Sequence, residues 1–131
     1  MKVAPQLYIR GSAEAAAFYQ RAFGLTIGMT DMNGDGTYKH ISLMSGETEI
    51  LAIGENPDNI SYYSGSGKEP IGINIWDLGT NEAVDQAFAV LREDACKTFE
   101  DAPGSPEWDA EGGHYAFGVI DKYGVNWGVH R

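Results

Sequence analysis

The chain has 131 residues, enough for one domain with its own core, and a single cysteine, Cys96, so no intrachain disulfide can form. Nineteen acidic against nine basic residues leave a net charge of −10. That charge argues against nucleic-acid phosphates and anionic membrane surfaces as partners. No run of 18 apolar residues could form a bilayer span, and residues 1–6 lack the apolar stretch of a signal peptide, so a soluble, cytoplasmic protein is expected.

Residues 3–9 read as a strand, with Leu7 and Ile9 on one face and Gln6 and Tyr8 on the other. Gly11 breaks it and Ser12 is placed to cap a helix. Ala15, Phe18, Tyr19, Ala22 and Phe23 recur at helical spacing until Gly24 stops the helix. Residues 25–32 are extended. Asn33-Gly34-Asp35-Gly36 is a hairpin turn, followed by strands at 37–44 and 48–54. Residues 56–70, rich in Ser, Gly, Asn and Pro, read as a linker.

The order then repeats. Residues 70–76 form a strand with Ile71, Ile73 and Ile75 on one face. Thr80 or Asn81 caps a helix carrying Ala83, Val84, Ala87, Phe88 and Leu91. A strand at 96–101, a polar acidic loop to about Gly113, and strands at 114–120 and 125–130 complete it. The result is βαβββ (1–55), linker (56–70), βαβββ (71–131). Ala13-Glu14-Ala15 matches Asn81-Glu82-Ala83, and Tyr38-Lys39-His40 matches Tyr115-Ala116-Phe117. A unit too small to bury its own core must pack on its copy. The fold class expected is α+β: two curved mixed sheets enclosing a cavity, with helices on the outer faces.

Two segments carry a family likeness. One is Gly11-Ser12-Ala13-Glu14-Ala15-Ala16-Ala17-Phe18-Tyr19 with Phe23-Gly24. The other is Phe117-Gly118-Val119-Ile120-Asp121-Lys122-Tyr123-Gly124-Val125-Asn126-Trp127, one residue short before Gly124. Both resemble the PhnB-like branch of the vicinal oxygen chelate superfamily, which includes glyoxalase I, bleomycin-resistance proteins and extradiol dioxygenases. The resemblance implies a single domain of two repeats, a homodimer and, in metal-dependent members, four His or Glu ligands. Counted along this chain, those ligands fall near Ala4, Leu51, Gly72 and Gly128. None of these side chains binds a divalent ion, so no metal is expected. Glu49 enters only by a two-residue shift of register. No dinucleotide, phosphate-loop or nucleophile-elbow motif is present, so no cofactor is expected either.

Strand parity names the residues that would face a ligand. They are Gln6 and Tyr8; His40, Ser42 and Met44; Asn74 and Trp76; and Asn126, Gly128 and His130. From 114–120 they are either Tyr115 and Phe117 or His114 and Ala116, and the apparent repeat match favours the aromatic pair. Trp127 shares its parity with Val125 and Val129 and reads as core. Glu49 reads as a solvated strand-end charge unless it assists His40. Trp108, in the acidic loop, would cover a ligand or a dimer contact.

Three functions follow. The first is a metal-free binder of a small organic ligand, aromatic or cationic, as in a protein that sequesters a planar drug or natural product. The second is a metal-independent enzyme using His40 as acid or base, with Glu49 or Tyr115 assisting. The third is an interaction module that docks through Tyr62 and Tyr63.

Overall fold

The structure is a computed structural model that describes residues 1–58 and 61–131; residues 59 and 60 of the expected linker lie outside the described residues. The chain divides into two compact units, Met1–Ile60 and Ser61–Arg131. Each is a βαβββ unit with one helix and one four-stranded mixed sheet, as the sequence pattern implies.

In the first unit, β1 (Gln6–Ile9), α1 (Ser12–Phe23), β2 (Thr26–Met32), β3 (Tyr38–Ser45) and β4 (Thr48–Glu55) form a sheet ordered β1-β4-β3-β2. The β1–β4 pair is parallel and the other pairs are antiparallel. Leu7, Ile9, Ile41, Leu43, Leu51 and Ile53 are buried on the helix side, against the buried Ala15, Phe18, Tyr19 and Ala22 stripe of α1. Gly24 ends the helix in the left-handed region, its N–H bonded to the Gln20 carbonyl at 2.8 Å.

The start of α1 corrects the expectation for Ser12. The N-cap is Gly11, at φ 84°, and no side chain of the cap residue closes the helix. The Glu55 carboxylate does so from the end of β4. It accepts the Gly11 and Ser12 backbone N–H groups at 3.0 Å each and the Ser12 hydroxyl at 3.0 Å. Ser12 Oγ in turn accepts the Tyr38 N–H at 2.8 Å. An anion at a helix N-terminus satisfies the orphan donors and the helix dipole together.

A bulge decides what the other face of this sheet carries. Leu43 pairs with Leu51, but Met44 pairs with Glu49, leaving Ile50 as the extra residue. Without it, Glu49 would share the helix-facing parity of Leu51 and Ile53. With it, Glu49 joins Ser42 and Met44 on the face away from α1.

In the second unit, β5 (Ile73–Ile75), α2 (Asn81–Leu91), β6 (Lys97–Thr98), β7 (Ala116–Ile120) and β8 (Asn126–His130) form a sheet ordered β5-β8-β7-β6. β5 is shorter than the 70–76 expected, and Ile71 is exposed before it. β6 likewise shrinks from 96–101 to two residues. Thr80 caps α2, accepting the Ala83 N–H at 3.1 Å. Val84, Ala87, Phe88 and Leu91 pack with Phe117, Val119, Val125, Trp127 and Val129. Trp127 is core: its indole N–H donates to the buried Asp121 carboxylate at 2.8 Å, and the other oxygen of Asp121 accepts the Tyr123 and Val125 N–H groups. Among the described residues, no helix is long and apolar enough to cross a membrane.

Candidate functional site

In the first unit, the face away from α1 brings His40, Ser42 and Glu49 into one hydrogen-bonded chain. His40 Nε2 lies 3.1 Å from Ser42 Oγ, and Ser42 Oγ donates to Glu49 Oε1 at 2.8 Å. Glu49 is exposed near the start of β4, as expected for a solvated strand-end charge, and it also accepts the Ser42 hydroxyl. Met44 lies on the same face, over Gly28, where a Cβ would stand 2.9 Å from Met44 Cγ. Gln6 and Tyr8 flank Gly54; a Cβ there would stand 3.2 Å from Gln6 Nε2 and 3.3 Å from Tyr8 Cδ1. The Tyr8 ring is half exposed.

In the second unit, the face away from α2 carries Asn74, Asn126, Gly128 and His130, as parity predicts. Trp76 stacks on the His130 ring at 3.7 Å with 7° between planes. His114 completes the cluster: its Nε2 lies 3.1 Å from His130 Nδ1, and Trp108 meets it edge-on at 4.6 Å. The loop is pinned here, because the His114 N–H donates to Asp109 and the Ser105 hydroxyl donates to the His114 carbonyl. One ring of the histidine pair donates and the other accepts. Partial burial, and then the neighbouring His114, hold the His130 pKa below its ordinary value.

Beside this cluster lies an open pocket of about 540 Å³. Its lining includes Phe99, Glu100, Glu107, Ala116, Gly128 and His130. The Glu100 carboxylate is held by the Gly118 N–H at 3.0 Å, and the Phe99 ring lies over Gly118.

Of the aromatic pair chosen from 114–120, Phe117 is among the residues lining this pocket and Tyr115 is not. Phe117 is buried edge-on against Phe88 of α2 at 5.1 Å, and the Tyr115 hydroxyl donates to Asp85 of α2 at 2.6 Å. That hydrogen bond raises the Tyr115 pKa. The two side chains face the helix, and the alternative pair, His114 and Ala116, takes the other face. Phe99, Glu100 and Glu107 were not singled out from the sequence. The acidic loop signalled Glu107, but nothing in the pattern announced Phe99, which follows a strand of only two residues.

The ligand positions implied by the resemblance do not fit a metal ion. Leu51 is fully buried on the helix side. A Cβ at Gly72 would stand 3.4 Å from Asn126 Nδ2, so the Asn126 amide lies against that position. At Gly128 the Asn74 carbonyl oxygen occupies the space itself. A neutral amide beside each glycine is a poor substitute for a His or Glu ligand. Among the described residues, no three His, Cys, Asp or Glu side chains come together to hold an ion.

Solved structures of other proteins share its architecture. A protein from Pseudomonas aeruginosa aligns at TM-score 0.69 and 19% identity, over 99% of this chain and 96% of its own. A PhnB protein from Bacillus cereus aligns at TM-score 0.67 and 21% identity, over 99% and 98%. A bleomycin-binding protein complexed with bleomycin aligns at TM-score 0.60 and 21% identity, over 100% and 98%. The chain has the fold of the glyoxalase and bleomycin-resistance proteins. No family model matches the sequence, and neither does any curated protein. What the fold supplies here is a pair of matching βαβββ units, each with a polar face turned away from its helix.

Proposed function

We propose that the protein binds a small organic ligand, planar and aromatic or cationic, without a metal, and that it sequesters this ligand rather than transforming it. One observation carries the reading: the pocket of about 540 Å³ on the second sheet. That volume is within the usual range for organic ligands. The Phe99 ring offers a stacking surface, and Glu100, Glu107 and the net charge of −10 favour a cation. Trp76 braces His130 from behind, and Trp108 braces His114. That a bleomycin-binding protein has this fold supports the same reading. The proposal includes a cytoplasmic homodimer.

The test uses thioflavin T, a planar cationic dye, titrated into the protein and followed by fluorescence. Phe99→Ala and Trp76→Ala are each expected to weaken binding about tenfold, or about 1.4 kcal/mol. Unchanged affinity in both variants refutes the site. Native mass spectrometry of protein purified from cells adds the oligomeric state and any retained organic adduct.

A second reading, a metal-independent enzyme using His40 in acid–base chemistry, is favoured by the hydrogen-bonded chain of His40, Ser42 and Glu49. Full turnover by His40→Ala on a substrate would end it.

A further inference from the structure

The chain on the first sheet has only one consistent arrangement of protons. A carboxylate accepts and does not donate, so the 2.8 Å bond from Ser42 Oγ to Glu49 uses the only hydroxyl proton of Ser42. The 3.1 Å contact between His40 Nε2 and Ser42 Oγ is then a hydrogen bond only if His40 donates. We infer that Glu49, acting through Ser42, fixes His40 in its Nε2–H form and presents Nδ1 as the proton-accepting atom of this face. The group taken there is a neutral O–H or N–H donor of a small molecule, such as a phenol. The inference rests on the acid–base reading for its role, though not for its geometry.

Several local features build the arrangement. The bulge at Ile50 is what brings Glu49 to this face. Gly28 makes room for Ser42 and Met44: a side chain there would begin 3.4 Å from Ser42 Cβ and 2.9 Å from Met44 Cγ. Ser42 is 5% exposed, so its hydroxyl has little water to turn to. Among the described residues, His40 Nδ1 has no hydrogen-bond partner.

The proton step balances within the chain. The X–H bond of the ligand breaks, its electron pair stays on X, and the proton forms Nδ1–H. The imidazolium keeps its Nε2–H bond to Ser42, and the Ser42 proton stays between Ser42 and Glu49. The new positive charge then lies two hydrogen bonds from a carboxylate, with Asp31 as the cross-strand partner of His40. His40 would touch the ligand; Ser42 and Glu49 are positioning residues.

The experiment is long-range proton–nitrogen correlation of the imidazoles in 15N-labelled protein at pH 8, with amide dispersion confirming that each variant is folded. The wild type is expected to show His40 protonated at Nε2 and bare at Nδ1. Glu49→Ala releases the Ser42 hydroxyl to donate to Nε2, so an Nδ1–H population of His40 appears. A wild type protonated at Nδ1, or a Glu49→Ala spectrum unchanged from it, overturns the inference. The donor requirement is tested with phenol, which keeps its O–H proton at pH 8, against its methyl ether, anisole. The phenol is expected to shift the Nδ1 resonance toward the protonated position, and the ether to leave it in place. Equal responses, or none to either compound, overturn the ligand class. Full turnover by His40→Ala would remove the acid–base reading while the tautomer result stood.

Discussion

Glu55 is the first residue to perturb, because its side chain ties the end of β4 to the start of α1. In Glu55→Ala, the Gly11 and Ser12 N–H groups lose their acceptor, and the Ser12 hydroxyl loses its own. Loss of an N-terminal cap costs about 0.5–2 kcal/mol. Leaving the buried Ser12 hydroxyl without its charged partner adds about 1–2 kcal/mol. The sum is about 1.5–4 kcal/mol, and at roughly 3–5 °C per kcal/mol for a chain of this length, Tm falls by about 5–20 °C. Glu55→Gln keeps an oxygen acceptor and loses only the charge facing the helix dipole, about 0.5–1 kcal/mol. Urea unfolding followed by circular dichroism measures both variants. A loss below about 0.5 kcal/mol for Glu55→Ala refutes the claim that a distant carboxylate caps α1. Equal losses for Ala and Gln would instead show that the cap works by charge alone.

Phe117 and His130 give two more tests. Phe117→Ala should cost about 3–5 kcal/mol in unfolding experiments, as a core truncation against Phe88 does, whereas Tyr115→Phe should leave thioflavin T affinity unchanged. A stable Phe117→Ala that loses dye binding would show that the ring itself serves the pocket Phe117 lines, rather than the core against Phe88. The depressed His130 pKa means that the folded state binds fewer protons than the unfolded state below the ordinary value of 6.5. This contribution to stability is present above pH 6.5 and lost as pH falls from there through the folded pKa. Tm measured between pH 8 and pH 5 should therefore fall more steeply for wild type than for His130→Gln; parallel curves would contradict it.

The repeat architecture was legible because each signal was local and redundant. Gly11, Gly24, Thr80 and Asn33-Gly34-Asp35-Gly36 punctuate elements whose apolar spacing already states their type. Side-chain faces were less legible, because the strand period is two and one residue of slip inverts the answer. Aligning Tyr38-Lys39-His40 with Tyr115-Ala116-Phe117 matched His40 to Phe117. In the structure His40 turns away from its helix while Phe117 turns toward its own. The chemical resemblance of Tyr to Tyr outweighed the packing need of Phe117, and the alignment slipped. Glu55 was invisible for a different reason: its partners are 43 and 44 residues away, and Ser12 in the local sequence already looked like a sufficient cap. The polar chain of the first sheet was half legible. His40 and Ser42 share a parity, but Glu49 reaches them only through a bulge that no residue pattern announced.

That bulge makes the face on which Glu49 stands a matter of strand pairing as much as of residue identity. Removing Ile50 would leave Leu43 opposite Leu51 and Met44 opposite Glu49 in an unbroken ladder, with the carboxylate still on the face away from α1 and the buried layer of Ile41, Leu43, Leu51 and Ile53 in register. The acid thus tolerates the loss of this one residue, whereas flattening the bulge with every residue retained would turn it toward the helix.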